Sequence, residues 1–264
     1  MAPRGIVAAA VASVFAISLE QQGVSNARLL VPMVFGTIVG TVLVYSVTSP
    51  MVARRLKLAD ARPQGLLLLG AGPFGREVGR VLQTLGIRIL AAETNLAEVR
   101  ATQMLGLSVI HGNVLDDDPE DILDCSGIGR MLALTPNEEV NQIAAERFSR
   151  LFGSQAVFRL PAKVASKSTG TNVESRAGRL LFAPNATHAR LDELVTGNAK
   201  IKATRLTREF DFRAYRERHG DRFMPLFVLD GAGNLNIVLA GVGCAPSPGD
   251  TLVTLTWSDE SVAG

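Results

Sequence analysis

Three glycines hold the most chemical promise in this chain. Gly70, Gly72 and Gly75 follow an apolar run, Leu66 to Leu69, and lead into Arg76-Glu77-Val78, so the stretch reads as strand, tight turn and helix. That context turns a GxGxxG spacing into a phosphate-binding pattern. Gly70 permits the turn, Gly72 lets the backbone approach a diphosphate, and Gly75 lets the new helix pack closely on the strand. The cradle runs through Ala71, Pro73, Phe74 and Arg76, where the N–H groups at a helix start face an anion. A second chemical group stands at the right distance: Glu93 lies 23 positions after Gly70, at the tip of the next apolar run. An acid there binds ribose hydroxyls, and its charge disfavours a 2′-phosphate. The pair therefore predicts NAD(H) in preference to NADP(H), with ADP and ATP remaining open.

The elements that must position these groups alternate. Val78, Val81, Leu82 and Leu85 recur at helical spacing and Gly86 ends that helix. Ile87–Ala92 reads as a second strand, Leu96–Leu105 as a helix and Ser108–His111 as a third strand, with Gly112-Asn113-Val114 as its loop. Met131–Leu134 and Ala156–Leu160 read as a fourth and a fifth strand around a helix over Val140–Phe152. Strands alternating with helices imply a Rossmann-like, doubly wound parallel sheet with ligand at the carboxyl ends of its strands. Gly70–Arg76, Glu93, Thr94, Asn95, Asn113, Val114 and Thr135 should converge there, and no histidine is expected among them.

Other chemistry is excluded. A net charge of +2 with dispersed Lys and Arg offers nothing to nucleic acid. Cys125 and Cys244 lack metal or disulfide spacing, and His111, His188 and His219 form no metal-binding pattern. The acidic run Asp116-Asp117-Asp118, with Glu120, Asp121 and Asp124, lacks the alternation of a calcium loop. Asp118 as N-cap and Pro119 at the first helical position explain it without a cation.

In front of the nucleotide domain lies a different solvent preference. Ile6–Leu19 and Leu29–Val52 are apolar, with the polar loop Glu20–Arg28 between them. A membrane-spanning helix needs about 17 to 25 residues; the second stretch has that length, and the first reaches it only by taking in Pro3 and Arg4. Arg4 is then either an interfacial anchor or a buried functional group. Arg54, Arg55, Lys57 and Arg62 mark the cytoplasmic side. Residues 1–52 thus read as two transmembrane helices of a multi-pass protein of the cell (inner) membrane, with the Glu20–Arg28 loop outside and everything from about 53 onward cytoplasmic.

Two resemblances sharpen this reading. Ala2-Pro3-Arg4-Gly5-Ile6-Val7-Ala8-Ala9-Ala10 resembles the arginine-glycine helix near the end of the membrane domain in monovalent cation:proton (sodium/hydrogen) antiporters, and Thr48–Leu56 resembles the exit of their last helix. The likeness implies a transport-related role for Arg4. It covers two helices only, and the acidic pair that carries the ion in such antiporters has no counterpart, so the chain alone should not transport. A fragment, a misplaced start or separately encoded remaining helices would each account for that. Residues 66–165 resemble the N-terminal half of an RCK (KTN, TrkA-type) regulatory domain, with Gly112-Asn113-Val114 where that family usually has Gly-Asp-Ala, and with Thr135 and Asn141 matching its fourth-strand region.

The resemblance divides the chain into the membrane piece at 1–52, a basic linker at 53–65, the NAD-binding domain at 66–165, a second linker at 166–185 and an RCK C-terminal-like α+β lobe at 186–264. Strands are expected in that lobe at Lys200–Leu206, Pro225–Leu229, Asn236–Leu239 and Thr251–Thr256, with a hairpin turn at Gly231–Asn234. The family implies a homodimer or larger ring through these lobes. The leading function is the nucleotide-sensing, non-enzymatic part of a cation:proton antiporter. A stand-alone Trk-like potassium-transport subunit and an NAD-dependent oxidoreductase are the alternatives; the last lacks a Tyr-xxx-Lys pair or a histidine at the strand ends.

Overall fold

The computed structural model describes residues 6–55, 64–113, 115, 127–162 and 177–258. Arg4, Val114, Cys125 and the acidic run at 116–124 lie outside the described residues. The chain divides into two compact units, 1–61 and 62–264.

In the first unit, α1 spans Ile6–Gln21 and α2 spans Leu30–Arg55, joined by a short turn of 3-10 helix at Ala27–Leu29. Among the described residues one stretch, Ala27–Ser49, is long and apolar enough to cross a membrane. At 16 residues α1 is shorter than the span length, so of the two expected membrane helices only α2 has the required length and apolarity among the described residues. Val7, Phe15, Ile17, Met33, Val42 and Tyr45 all point outward. The hydroxyls of Thr37, Thr41 and Thr48 donate back to the carbonyls of Met33, Thr37 and Val44, which leaves few polar atoms on the surface of α2. Arg28 Nε donates to Glu20 Oε1 at 2.6 Å across the loop.

The second unit begins with a parallel sheet. Its strands are β1 (Gly65–Leu69), β2 (Ile89–Glu93), β3 (Ser108–His111), β4 (Ile128–Ala133), β5 (Val157–Arg159) and β6 (Arg179–Leu180), in the order β3-β2-β1-β4-β5-β6. That is the doubly wound order of dinucleotide-binding folds, with the switch point between β1 and β4. Helices α3 (Pro73–Thr84), α4 (Leu96–Met104) and α5 (Glu138–Phe152) connect the strands. Every residue of β1 is buried, which is why it reads as an unbroken leucine run rather than an alternation. Leu66 and Leu68 pack on α3 through Val78 and Leu82, whereas Leu67 and Leu69 pack with Met131, Ala144 and Phe148 on the other face.

Beyond β6 come α6 (His188–Thr196), β7 (Lys200–Arg205), α7 (Phe212–His219), β8 (Phe223–Leu229), β9 (Leu235–Ile237) and β10 (Thr251–Thr256). The four strands make an antiparallel sheet in the order β7-β10-β8-β9. Its expected strands are all present, and the β8–β9 hairpin turns where Asp230 accepts from the N–H groups of Ala232 and Asn234. Helix α7 has no counterpart in the sequence reading, and β6 with the neighbouring Leu181–Phe182 lies inside the stretch read as linker, at the short apolar knot Leu180-Leu181-Phe182. Leu181 and Phe182 are buried in a core that runs from Leu66 and Phe74 to Phe227 and Val253 of the second sheet.

Candidate nucleotide site

The glycine turn closes on backbone. Gly70 has φ +93°, and a Cβ there would lie 3.1 Å from the Leu134 carbonyl. At Gly75 a Cβ would lie 2.6 Å from Gly70 O, so a side chain would push α3 off the strand end. Gly72 is the N-cap of α3, with Pro73 at its start. Its open side faces the carboxylate of Asp192, whose Oδ2 would be 3.5 Å from a Cβ.

Beside this turn, at the switch point, is a cavity of about 480 Å³. Gly70, Gly72, Pro73, Glu93, Thr94, Asn95, Asn113 and Thr135 all border it. These expected residues therefore do converge. Ala71, Phe74, Gly75 and Arg76 stand behind that surface. Ala71 and Phe74 are buried, and the Phe74 ring packs edge-on against Phe182 at 5.9 Å. Arg76 donates to Ala71 O at 2.9 Å and pairs with Glu98. A second cavity, of about 500 Å³, includes Arg130, Phe158, Arg179 and Cys244. It holds none of the motif residues, so the candidate dinucleotide site is the first.

Glu93 sits at the tip of β2, where a ribose acid belongs. Its carboxylate is engaged with backbone: Oε2 accepts from Ala71 N at 2.8 Å, and Oε1 accepts from Thr94 N and Asn95 N at 2.8 and 2.9 Å. Thr135 and Asn141 lock the loop after β4. The Thr135 hydroxyl donates to Asn141 Oδ1 at 2.7 Å, and Asn141 Nδ2 donates to Thr135 O at 2.8 Å. Asn141 is buried, so both ends of its amide need partners, and this loop supplies them.

Two histidines stand near the site, one at a strand end and one at the start of α6, against the expectation of none. His111 ends β3, opposite Glu93 in register, with Nε2 3.1 Å from Thr94 O. His188 borders the cavity with its Nε2 3.5 Å from Asp192 Oδ2. Asp192 was also unforeseen. Its Oδ1 accepts from Phe74 N at 3.1 Å, at the very start of α3. His188 and Asp192 occupy one face of α6 at i, i+4, more than a hundred residues from the glycines, so no local spacing connects them to the motif.

An open backbone at Gly72, a helix start, a carboxylate at the tip of β2 and a cavity at the switch point together fit a dinucleotide of the NAD(H) type. Among the described residues no group of three or more His, Cys, Asp or Glu side chains could hold a metal ion.

Residues 66–178 match the family model of the TrkA-N domain. A TrkA-N (RCK-type) domain implies a regulatory nucleotide-binding unit of ion-transport systems. The match covers under half of the 264 residues and so identifies a domain rather than the whole chain. No curated protein matches the chain. Among solved structures, it is similar to a conserved protein of unknown function from Silicibacter pomeroyi, at 18% identity over 51% of this chain and 48% of that one, with a TM-score of 0.30. It is also similar to a GsuK channel bound to NAD, at 14% identity over 96% of this chain and 51% of the channel, TM-score 0.36. The GsuK RCK domain matches at 15% identity over 81% of this chain and 50% of that one, TM-score 0.36. The chain spans about half the length of each of these structures. The fold assignment rests on the strand order and the TrkA-N match, not on likenesses this distant.

Proposed function

We propose that this chain is the nucleotide-sensing regulatory portion of a monovalent cation:proton antiporter, and that NAD(H) is the nucleotide. The single observation that carries the reading is the convergence of Gly70, Gly72 and Glu93 on one cavity at the switch point of a TrkA-N domain. The diphosphate would lie over Gly72 and the Phe74 N–H, and Glu93 would take the ribose hydroxyls. Asn95, Asn113 and Thr135 would line the path of the remaining nucleotide. Ala71, Gly75 and Arg76 shape the turn from behind, and Pro73 pre-sets the helix start. Bound nucleotide shifts the protein between arrangements only by its difference in affinity for them.

The membrane half of the proposal puts α1 and α2 among further antiporter helices, with a transport-related role for Arg4 and residues from 53 onward in the cytoplasm. The apolar exterior of α2 supports it. Pairing through the second sheet into a dimer or ring belongs to the same reading. The NAD-dependent oxidoreductase alternative needs an acid or base beside the nicotinamide; His188, beside Asp192 at the cavity edge, would be its candidate, and turnover of NADH rather than binding alone would favour it.

Calorimetry on detergent-solubilised protein tests the nucleotide half. Heat with NADH exceeding that with ADP or ATP is expected; folded protein giving none with NADH, NAD⁺, ADP or ATP ends the reading. Carbonate washing tests the membrane half, since a spanning protein stays in the pellet until detergent is added.

A further inference from the structure

Two donors of the glycine turn are already engaged by the protein's own acids. Pro73 brings no N–H to the start of α3, and the N–H of Arg76 is bonded to Gly72 O. The N–H of Phe74 goes to Asp192, and that of Ala71 goes to Glu93. Glu93 belongs to the sheet and is expected at a dinucleotide site. Asp192 does not: it comes from α6, and its carboxylate sits over Gly72, on the open side of the turn. An anion at a helix start is stabilised by the unpaired N–H groups and the helix dipole. A carboxylate and a diphosphate are therefore competitors for one place, and two anions cannot share it without strong repulsion.

We infer that Asp192 is a built-in competitor of the nucleotide, occupying the diphosphate cradle when the site is empty and expelled when ligand binds. This deepens the dinucleotide reading and rests on it. His188 Nε2, 3.5 Å from Asp192 Oδ2, steadies the carboxylate in the occupied position. The consequence reaches past the site. Thr187 caps α6, and the chain runs from the helix through Gly197 and Ala199, whose N–H donates to Leu194 O, directly into β7. Expelling Asp192 breaks the bond by which α6, the element that leads directly into the second sheet, holds the Phe74 N–H at the start of α3. The apparent affinity is lowered by the fraction of molecules with the cradle closed.

The test compares NADH and ADP-ribose binding by calorimetry in wild type, Asp192→Ala and Asp192→Asn, with thermal melts confirming that each variant folds. Alanine removes the competing acceptor, and a gain in affinity of about tenfold is expected, corresponding to the loss of one charge-assisted bond. Asparagine keeps a weaker neutral acceptor and should gain about threefold; it carries the test if alanine does not fold. Binding seen only in the variants supports the inference more strongly still. Wild type and folded variants binding within twofold of one another, or the variants binding more weakly, overturns the competitor while leaving the nucleotide reading intact. Absence of binding in every folded form overturns both.

Discussion

A single methyl group separates a working turn from a broken one at Gly75. A Cβ there meets Gly70 O at 2.6 Å; the Cβ position is fixed by its own backbone and Gly70 O is backbone, so neither can swing aside. Gly75→Ala should destabilise the second unit by about 1–3 kcal/mol, the range for overpacking, read by urea unfolding. It should also abolish NADH binding, because the helix start moves off the strand end. At Glu93 the relevant property is charge. Glu93→Gln retains an acceptor for Ala71 N but removes the negative charge that repels a 2′-phosphate. The ratio of NADPH to NADH affinity should rise about tenfold, equivalent to roughly 1.4 kcal/mol; an unchanged ratio would show that Glu93 does not face the ribose. The residues behind these predictions were readable from spacing, because a glycine turn and an acid at the tip of the second strand are constrained by local chain geometry. Asp192 and His188 were not, since nothing within 100 residues of the motif announces them.

At the scale of elements, caps and termini decide how well the site is held. Asn137 accepts from the N–H groups of Glu139 and Val140 at 3.0 and 3.2 Å and begins α5 directly after the Thr135 loop. Asn137→Ala should cost about 1 kcal/mol in urea unfolding, the usual worth of an N-cap, and loosen the loop at the cavity edge. Helix α7 carries a titrating group of its own. His219 stacks on Tyr215 at 4.4 Å near the helix C-terminus, where the dipole favours a cation. Burial outweighs this, with help from Arg218, Lys202 and Arg222, and holds the imidazole below its ordinary 6.5. A histidine with a lowered value in the folded state binds its proton more readily when unfolded. Its contribution to stability is thus complete above about pH 6.5 and is lost as pH falls through the folded value. Acidification should lower the denaturation midpoint across that window, and His219→Gln should flatten the dependence. The sequence reading passed over α7 altogether: Phe212 to His219 is strongly charged, and its one buried residue, Tyr215, makes no periodic apolar stripe.

For the second unit as a whole, the notable feature is a core held in common. The Phe182 ring lies edge-on to Phe74 at 5.9 Å and to Phe227 at 5.6 Å, tying the glycine-turn helix to the antiparallel sheet. Its backbone is in the left-handed region, φ +61°, a conformation that costs a bulky residue of order 1–3 kcal/mol unless packing holds it. Phe182→Ala should destabilise the unit by about 3–5 kcal/mol, as for other buried aromatic truncations. Loss should be seen by amide exchange in both sheets; a loss confined to the antiparallel sheet would mean that the two are energetically separate. Such coupling is also what would let an event at the nucleotide cavity reach β7 to β10.

Chain-local physics made much of this protein legible in advance. Buried parallel strands must be runs of apolar residues, helices between them must carry an apolar stripe, and a phosphate turn must use glycine where a side chain would collide. From those constraints came the doubly wound sheet, the cavity position, the acid at Glu93 and the apolar length of α2. Tertiary structure alone decided the rest, because contacts between residues distant in sequence leave no period to read. Phe74 turns out to be a core residue that offers only its N–H, and the apolar knot at Leu180–Phe182 becomes strand β6 and core because β5 provides an edge to pair with. Asp192 reaches the helix start only because α6 packs against α3.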